Sequence, residues 1–147
     1  MARQKSTISN NLSFVLDTSV VVKWFTREED SVEAKKIRED YLKGKCKILV
    51  PDLLFYELSN ALKFAGLKPK EVVKNINTLY ELNIPVQLFY LPLIEISLEL
   101  MQQKPIAIYD AYFLSLAESL RFLFITADEK LYNIVSNLKY VRLLKDI

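Results

Sequence analysis

Phe14-Val15-Leu16-Asp17-Thr18-Ser19 is the stretch on which the fold turns. A continuous apolar run that stops at an acid and two hydroxyl residues reads as a buried strand followed directly by a helix start. The same grammar recurs at Ile48-Leu49-Val50, closed by Pro51, at Val86-Gln87-Leu88 after Pro85, at Phe122-Leu123-Phe124-Ile125, and from Tyr140 to Leu143. Helical segments fill the intervals. A short helix spans Val20 to Phe25, and Ala34, Ile37 and Tyr41 carry a second as far as Gly44. Leu54, Leu58, Ala61, Leu62 and Ala65 define a third that stops at Gly66, and Pro69 opens a fourth running to about Asn83. Pro92 to Gln103, Tyr109 to Leu120 and Glu129 to Ser136 complete the set. Continuous apolar strands separated by helices cannot pair as hairpins, so the order βαβα predicts a mostly parallel sheet with helices on both faces.

Outward from this frame, the 147 residues suit one domain, and 51% hydrophobic with 26% charged residues exclude a disordered or fibrous chain. Residues 1–13 are polar and aperiodic and read as a flexible tail, leaving 14–147 as a single domain. The formal charge of +2 leaves any nucleic-acid contact to a local patch. With no His, catalysis by Ser-His or Cys-His pairs and mixed zinc sites are excluded. With only Gly44 and Gly66, neither a phosphate-binding P-loop nor a dinucleotide turn can be built. The lone Cys46 has no intrachain partner and reads as a small buried apolar residue. No secretory signal and no apolar run long enough for a bilayer is visible, which predicts a cytoplasmic protein without membrane contact.

Chemistry must then come from carboxylates and hydroxyls. Asp17 follows the first strand and Asp128 the fourth, so both emerge at one edge of a parallel sheet, where ligands of such folds bind. Each also suits a helix N-cap. Glu57 lies within about 40° of Leu53, Ala61 and Phe64 on its helix, inside the apolar arc. Asp110 shares a face with Phe113, Leu114 and Ala117. An acid turned toward a core is costly unless paired, hydrogen-bonded or bound to a cation, and the bland alternatives are an ion pair for Glu57 and an N-cap for Asp110. If the acids meet, their mutual repulsion favours a hard divalent ion. Oxygen ligands without His or Cys select Mg²⁺ or Mn²⁺, ions that serve phosphodiester hydrolysis.

These residues also carry a resemblance. The Phe14–Ser19 segment, the Glu57-Leu58-x-Asn60-Ala61-Leu62 helix, Tyr109-Asp110-Ala111 leading to Leu116-Ala117-Glu118, and Ile125-Thr126-Ala127-Asp128 resemble, in order and spacing, the acidic motifs of PIN-domain ribonucleases, over about residues 14 to 145. Within that family the chain resembles the VapC toxins of toxin–antitoxin pairs. The resemblance implies a three-layer α/β/α fold with a five-stranded sheet, RNA as substrate, a homodimer, and an antitoxin partner that blocks the site. It implies Asp17, Glu57, Asp110 and Asp128 as the catalytic, metal-binding acids, with Ser19 and Thr126 as hydroxyls beside the metal and Asn60 supporting Glu57. Glu129 competes with Asp128 for its place.

Lys23 and Arg27, after the Asp17 turn, and Lys63, after Glu57, are candidates for holding RNA phosphates, although solvated helix faces explain such residues as well. Trp24, Phe25, Phe55, Tyr56, Phe64, Phe89 and Tyr90 read as core. A mean hydropathy of +0.11 is high for a soluble monomer and points to a covered surface. The expected activity is a metal-dependent endoribonuclease; the alternative is a non-catalytic PIN-like module that binds protein or RNA. A receiver-like domain needs paired acids after strand one, and a haloacid-dehalogenase-type phosphatase needs Asp-x-Asp there. Asp17-Thr18-Ser19 supplies neither.

Overall fold

A computed structural model describes residues 12–147. Five strands form one sheet: β1 (Leu12–Leu16), β2 (Cys46–Pro51), β3 (Val86–Gln87), β4 (Leu123–Thr126) and β5 (Val141–Leu143), in the order β3-β2-β1-β4-β5. Every neighbouring pair is parallel, so the sheet is wholly and not merely mostly so. The helices are α1 (Thr18–Val21), α2 (Ser31–Leu42), α3 (Leu53–Phe64), α4 (Pro69–Glu81), α5 (Leu91–Gln103), α6 (Ile108–Leu120) and α7 (Glu129–Val135). Parallel crossovers follow a right-handed rule, so the steps one way from β1 to β3 and the other way from β3 to β5 place helices on opposite faces and give three layers.

The strands are continuous apolar runs because both faces are covered: Val15, Leu16, Phe124 and Ile125 are fully buried. Helix α6 is buried over every residue from Ala111 to Ala117, packed between the sheet and α5. A helix apolar all round belongs in an interior. Phe113 meets Phe124 edge-on, ring centroids 6.5 Å apart. Gly44 and Gly66 both sit in the left-handed region, φ 72° and 93°, and end α2 and α3 where a side chain would be strained.

Several boundaries move. The expected tail at residues 1–11 lies outside the described residues, whereas Leu12 and Ser13 are no tail: they open β1, opposite Cys46 and Lys47 of β2. That pairing also starts β2 earlier than its oily centre suggests, because exposed Lys47 alternates with buried Cys46 and Ile48. The expected helix from Val20 to Phe25 starts at Thr18 and tightens into a 3-10 turn over Val22–Trp24. Strand β3 stops at Gln87, leaving Leu88, Phe89 and Tyr90 exposed. No helix among the described residues is long and apolar enough to cross a membrane.

Candidate active site

Strand order reverses at β1, whose chain neighbour β2 lies on one side and β4 on the other, and such a switch point opens a crevice at the carboxyl ends of the strands. Leu16 pairs with Ile125, and the Asp17 N–H donates to the Ile125 carbonyl at 2.9 Å, which sets Asp17 beside Thr126. Asp17 is buried, and its carboxylate accepts three hydrogen bonds. Oδ1 takes the Thr18 N–H at 2.9 Å; Oδ2 takes the Ser19 hydroxyl at 2.7 Å and the Thr126 hydroxyl at 2.8 Å. The N-cap reading of Asp17 is therefore correct for one oxygen, while the other is held by hydroxyls from two elements.

That hydroxyl pair stitches β4 to β1. Ser19 Oγ accepts the Ala127 N–H at 2.9 Å and Thr126 Oγ1 the Asp128 N–H at 3.1 Å, which fixes the turn that presents Asp128. Asp128 in turn caps α7, Oδ1 accepting the Leu131 N–H at 3.0 Å. Its neighbour Glu129 is no competitor: it pairs with Lys145 at 2.8 Å on the exposed surface, and that ammonium holds its carboxyl below the usual range.

The buried stripe of α3 is Leu54, Leu58 and Leu62, so Glu57 sits half-buried at the stripe's margin and Phe64 leaves the core altogether. Glu57 has no ion-pair partner among the described residues. Its Oε1 accepts the Thr18 hydroxyl at 2.8 Å. Asn60, expected as its support, is exposed and makes no hydrogen bond to it; the supporting residue is Thr18. No sequence spacing reveals this, because the contact depends on how α1 packs on α3. Asp110 is not an N-cap either. Ala107 occupies that position, and Asp110 stands in the first turn of α6, half-buried, with no hydrogen-bond or ion-pair partner among the described residues.

Asp17, Glu57, Asp110 and Asp128 thus lie near enough to repel one another, and no basic side chain among the described residues is paired to any of them. Burial pushes the Asp17 carboxyl up against its hydrogen bonds, with Asp128 adding repulsion. Burial and Asp17 push Glu57 up, against the Thr18 bond. Asp110, without any such bond, is pushed up to about 6 by burial and by Asp17, Glu57 and Asp128 together. A desolvated, self-repelling set of oxygens fits a hard divalent cation. As the side chains stand, no three carboxylates among the described residues enclose an ion-sized space. Mg²⁺ tolerates this, because it keeps several of its waters and takes few protein ligands.

A family model for the PIN domain matches residues 14–136. The chain belongs to the PIN domain family. Solved structures of similar fold include a toxin–antitoxin complex from Klebsiella pneumoniae, at 18% identity and TM-score 0.66, covering 88% of this chain and 96% of that one. VapC20 of Mycobacterium tuberculosis, a sarcin–ricin-loop-cleaving toxin, aligns at 12% identity and TM-score 0.63, over 83% and 96%. PAE2754 from Pyrobaculum aerophilum aligns at 20% identity and TM-score 0.64, over 92% and 85%. No curated protein matches the sequence.

Around the crevice of this PIN domain, the expected phosphate-binding cations divide. Lys23 is tied down, its Nζ donating to the Glu29 carbonyl at 2.6 Å and lying 3.8 Å from Glu28, so it braces the loop after α1. Arg27 and Lys63 are exposed. The aromatic residues divide too. Trp24 is core, donating to the Ala34 carbonyl at 2.8 Å, and Phe25 and Phe55 are half-buried. Tyr56, Phe64, Phe89 and Tyr90 are exposed, against the core reading.

Proposed function

We propose that this PIN domain is a metal-dependent endoribonuclease, hydrolysing RNA phosphodiesters at the crevice formed by Asp17, Glu57, Asp110 and Asp128. The observation that carries the reading is the mutual repulsion of these acids, Asp17 standing at the sheet's switch point, with no basic side chain among the described residues paired to them. Together they would hold Mg²⁺ or Mn²⁺. Such an ion supplies an activated water and screens the charge of the phosphate. The chain's own part is to keep the carboxylates ionised and aimed. Ser19 and Thr126 hold one oxygen of Asp17, Thr18 holds Glu57, and Asp110, without a hydrogen bond among the described residues and pushed up to about 6, is a carboxylate able to accept a proton near neutral pH. Exposed Arg27, in the loop before α2, and exposed Lys63, in the last turn of α3, would meet RNA phosphates.

On the same reading the chain is the toxin of a toxin–antitoxin pair, acting in the cytoplasm, with an antitoxin protein and a second copy of itself as partners. Exposed Phe64, Val73, Tyr80, Leu88 and Leu91 support a covered surface, as do the toxin–antitoxin complexes among structures of similar fold. The second reading, a non-catalytic PIN-like module that binds protein or RNA, has one observation in its favour: no three acids among the described residues close on an ion as they stand.

Incubation of purified protein, freed of partners, with a mixed structured RNA pool in Mn²⁺ or EDTA decides between them. Cleavage that disappears both in EDTA and in Asp110→Asn supports the nuclease. Intact RNA in Mn²⁺, with no cation bound in a titration, supports the module.

A further inference from the structure

The hydroxyls of Ser19 and Thr126 have their protons aimed at one atom. Ser19 Oγ accepts the Ala127 N–H at 2.9 Å and Thr126 Oγ1 the Asp128 N–H at 3.1 Å, so each hydroxyl has its own proton left to give. Both donate to Oδ2 of Asp17, at 2.7 and 2.8 Å, and the 3.3 Å between the two hydroxyls is too long to compete with a charged acceptor. A carboxylate oxygen offers two lone pairs, and those of Oδ2 are both engaged. Oδ1 gives one of its own to the Thr18 N–H at 2.9 Å. A single lone pair of Asp17 is left.

We propose that Asp17 is a one-point ligand, able to hold a divalent cation through Oδ1 alone and unable either to chelate it or to join it to a second ion, so that the crevice takes one cation per chain. The inference rests on the metal-dependent reading above and says what form the centre takes.

Two-metal centres hold their ions roughly 3.5–4 Å apart, a separation at which a carboxylate reaching both ions offsets their repulsion. Asp17 is the buried member of the set and the one whose charge meets all the others: it raises Glu57 and Asp110 and is itself raised by Asp128. Chelation, however, needs Oδ2, and bridging needs Oδ2 or a second lone pair on Oδ1. The hydroxyl clamp removes the first and the helix cap the second. Glu57 and Asp128 each have an oxygen engaged as well, by the Thr18 hydroxyl and the Leu131 N–H. A second ion would therefore have to assemble around Asp110 without the buried acid.

The test counts ions and reads their coupling, apart from cleavage. Purified protein, freed of partners, is titrated with Mn²⁺ and followed by calorimetry and electron paramagnetic resonance. The expected result is one Mn²⁺ per chain at saturation, with the hyperfine-split spectrum of an isolated ion. Thr126→Val keeps the shape and removes one donor to Oδ2, so its Mn²⁺ affinity should fall about tenfold and Thr126→Ser should restore it. Ser19→Ala removes the other donor and carries the same expectation if the Val chain melts below the parent in EDTA. Two Mn²⁺ per chain, and above all an exchange-coupled spectrum, overturns the inference and keeps the metal reading. Variants without a donor that bind Mn²⁺ as the parent does overturn the clamp on which it stands. A parent chain that binds no Mn²⁺ removes the metal reading and the inference with it.

Discussion

The Thr18 hydroxyl donates to Oε1 of Glu57 at 2.8 Å, so the residue directly after one acid of the crevice orients another acid 39 positions further along the chain. Two elements that share no local sequence signal are coupled by that single bond. Thr18→Val keeps the shape and removes the donor, leaving a half-buried carboxylate without its partner. It should cost about 1 kcal/mol of stability and lower Mn²⁺-dependent cleavage about tenfold, with Thr18→Ser restoring both. Thermal melts and initial cleavage rates check this, and Val behaving as Thr would sink it.

Acidification should stabilise the metal-free protein. Asp110 has its folded carboxyl raised from 3.8 to about 6. Between those values the folded chain binds a proton that the unfolded chain lacks, so stability rises as pH falls through about 6 and levels off near the unfolded value. Asp17 and Glu57, also raised, act in the same direction. In EDTA the melting midpoint should be higher at about pH 5 than at about pH 7.5. Mn²⁺ should raise it at the higher pH and much less at the lower, where Asp110 is protonated. Asp110→Asn should flatten the dependence and stabilise the metal-free protein by about 1 kcal/mol near neutrality, allowing for its partial exposure.

Asp128 has two separable duties, capping α7 and contributing charge to the crevice. Asn caps as well as Asp. Asp128→Asn should therefore melt like the parent and bind Mn²⁺ more weakly, whereas Asp128→Ala should also lose about 1 kcal/mol. Glu129→Gln should change neither cation affinity nor cleavage, because Glu129 faces Lys145 at the surface. Equal losses in Glu129→Gln and Asp128→Asn would contradict the assignment of the site to Asp128.

Arg121 closes α6 in the left-handed region, φ 58° and ψ 38°, with the Phe122 N–H returning to the Ala117 carbonyl at 2.9 Å. A residue with a Cβ is strained there and glycine is not. Arg121→Gly should raise stability by about 0.5 kcal/mol, part of the gain being offset by the freer unfolded chain, and should leave RNA cleavage untouched. A lower melting midpoint would refute it.

Much of this was legible in the sequence, and the parts that were not share a cause. The strands announce themselves because a sheet covered on both faces demands unbroken apolar runs, and acids at the ends of such runs have only one edge to occupy. Phe14–Ser19 carries both facts at once. The register of β1 on β2 was hidden because Leu12 and Ser13 pair at the sheet's polar margin. On α3, periodicity defined an apolar arc but not which part of it faces inward, so Tyr56 and Phe64 looked like core and are exposed. Thr18 holds Glu57 in the place expected of Asn60 for a similar reason. Local spacing places a side chain on a face, whereas the partner it meets is decided by another element's packing.

The hydroxyl of Thr126 reaches Asp17 across 109 positions of chain. Strand β1, the earliest described strand to leave a ribosome, must wait at the centre of the sheet for β4 to arrive before the second oxygen of Asp17 is satisfied. Pairings between such distant segments close late. A nascent or truncated chain that ends before residue 126 can pair β1 with β2 and β2 with β3, yet it lacks Thr126 and Asp128 and so has no complete crevice. The strand order thus acts as a clock that withholds the acidic crevice until β4 and the turn after it have been made.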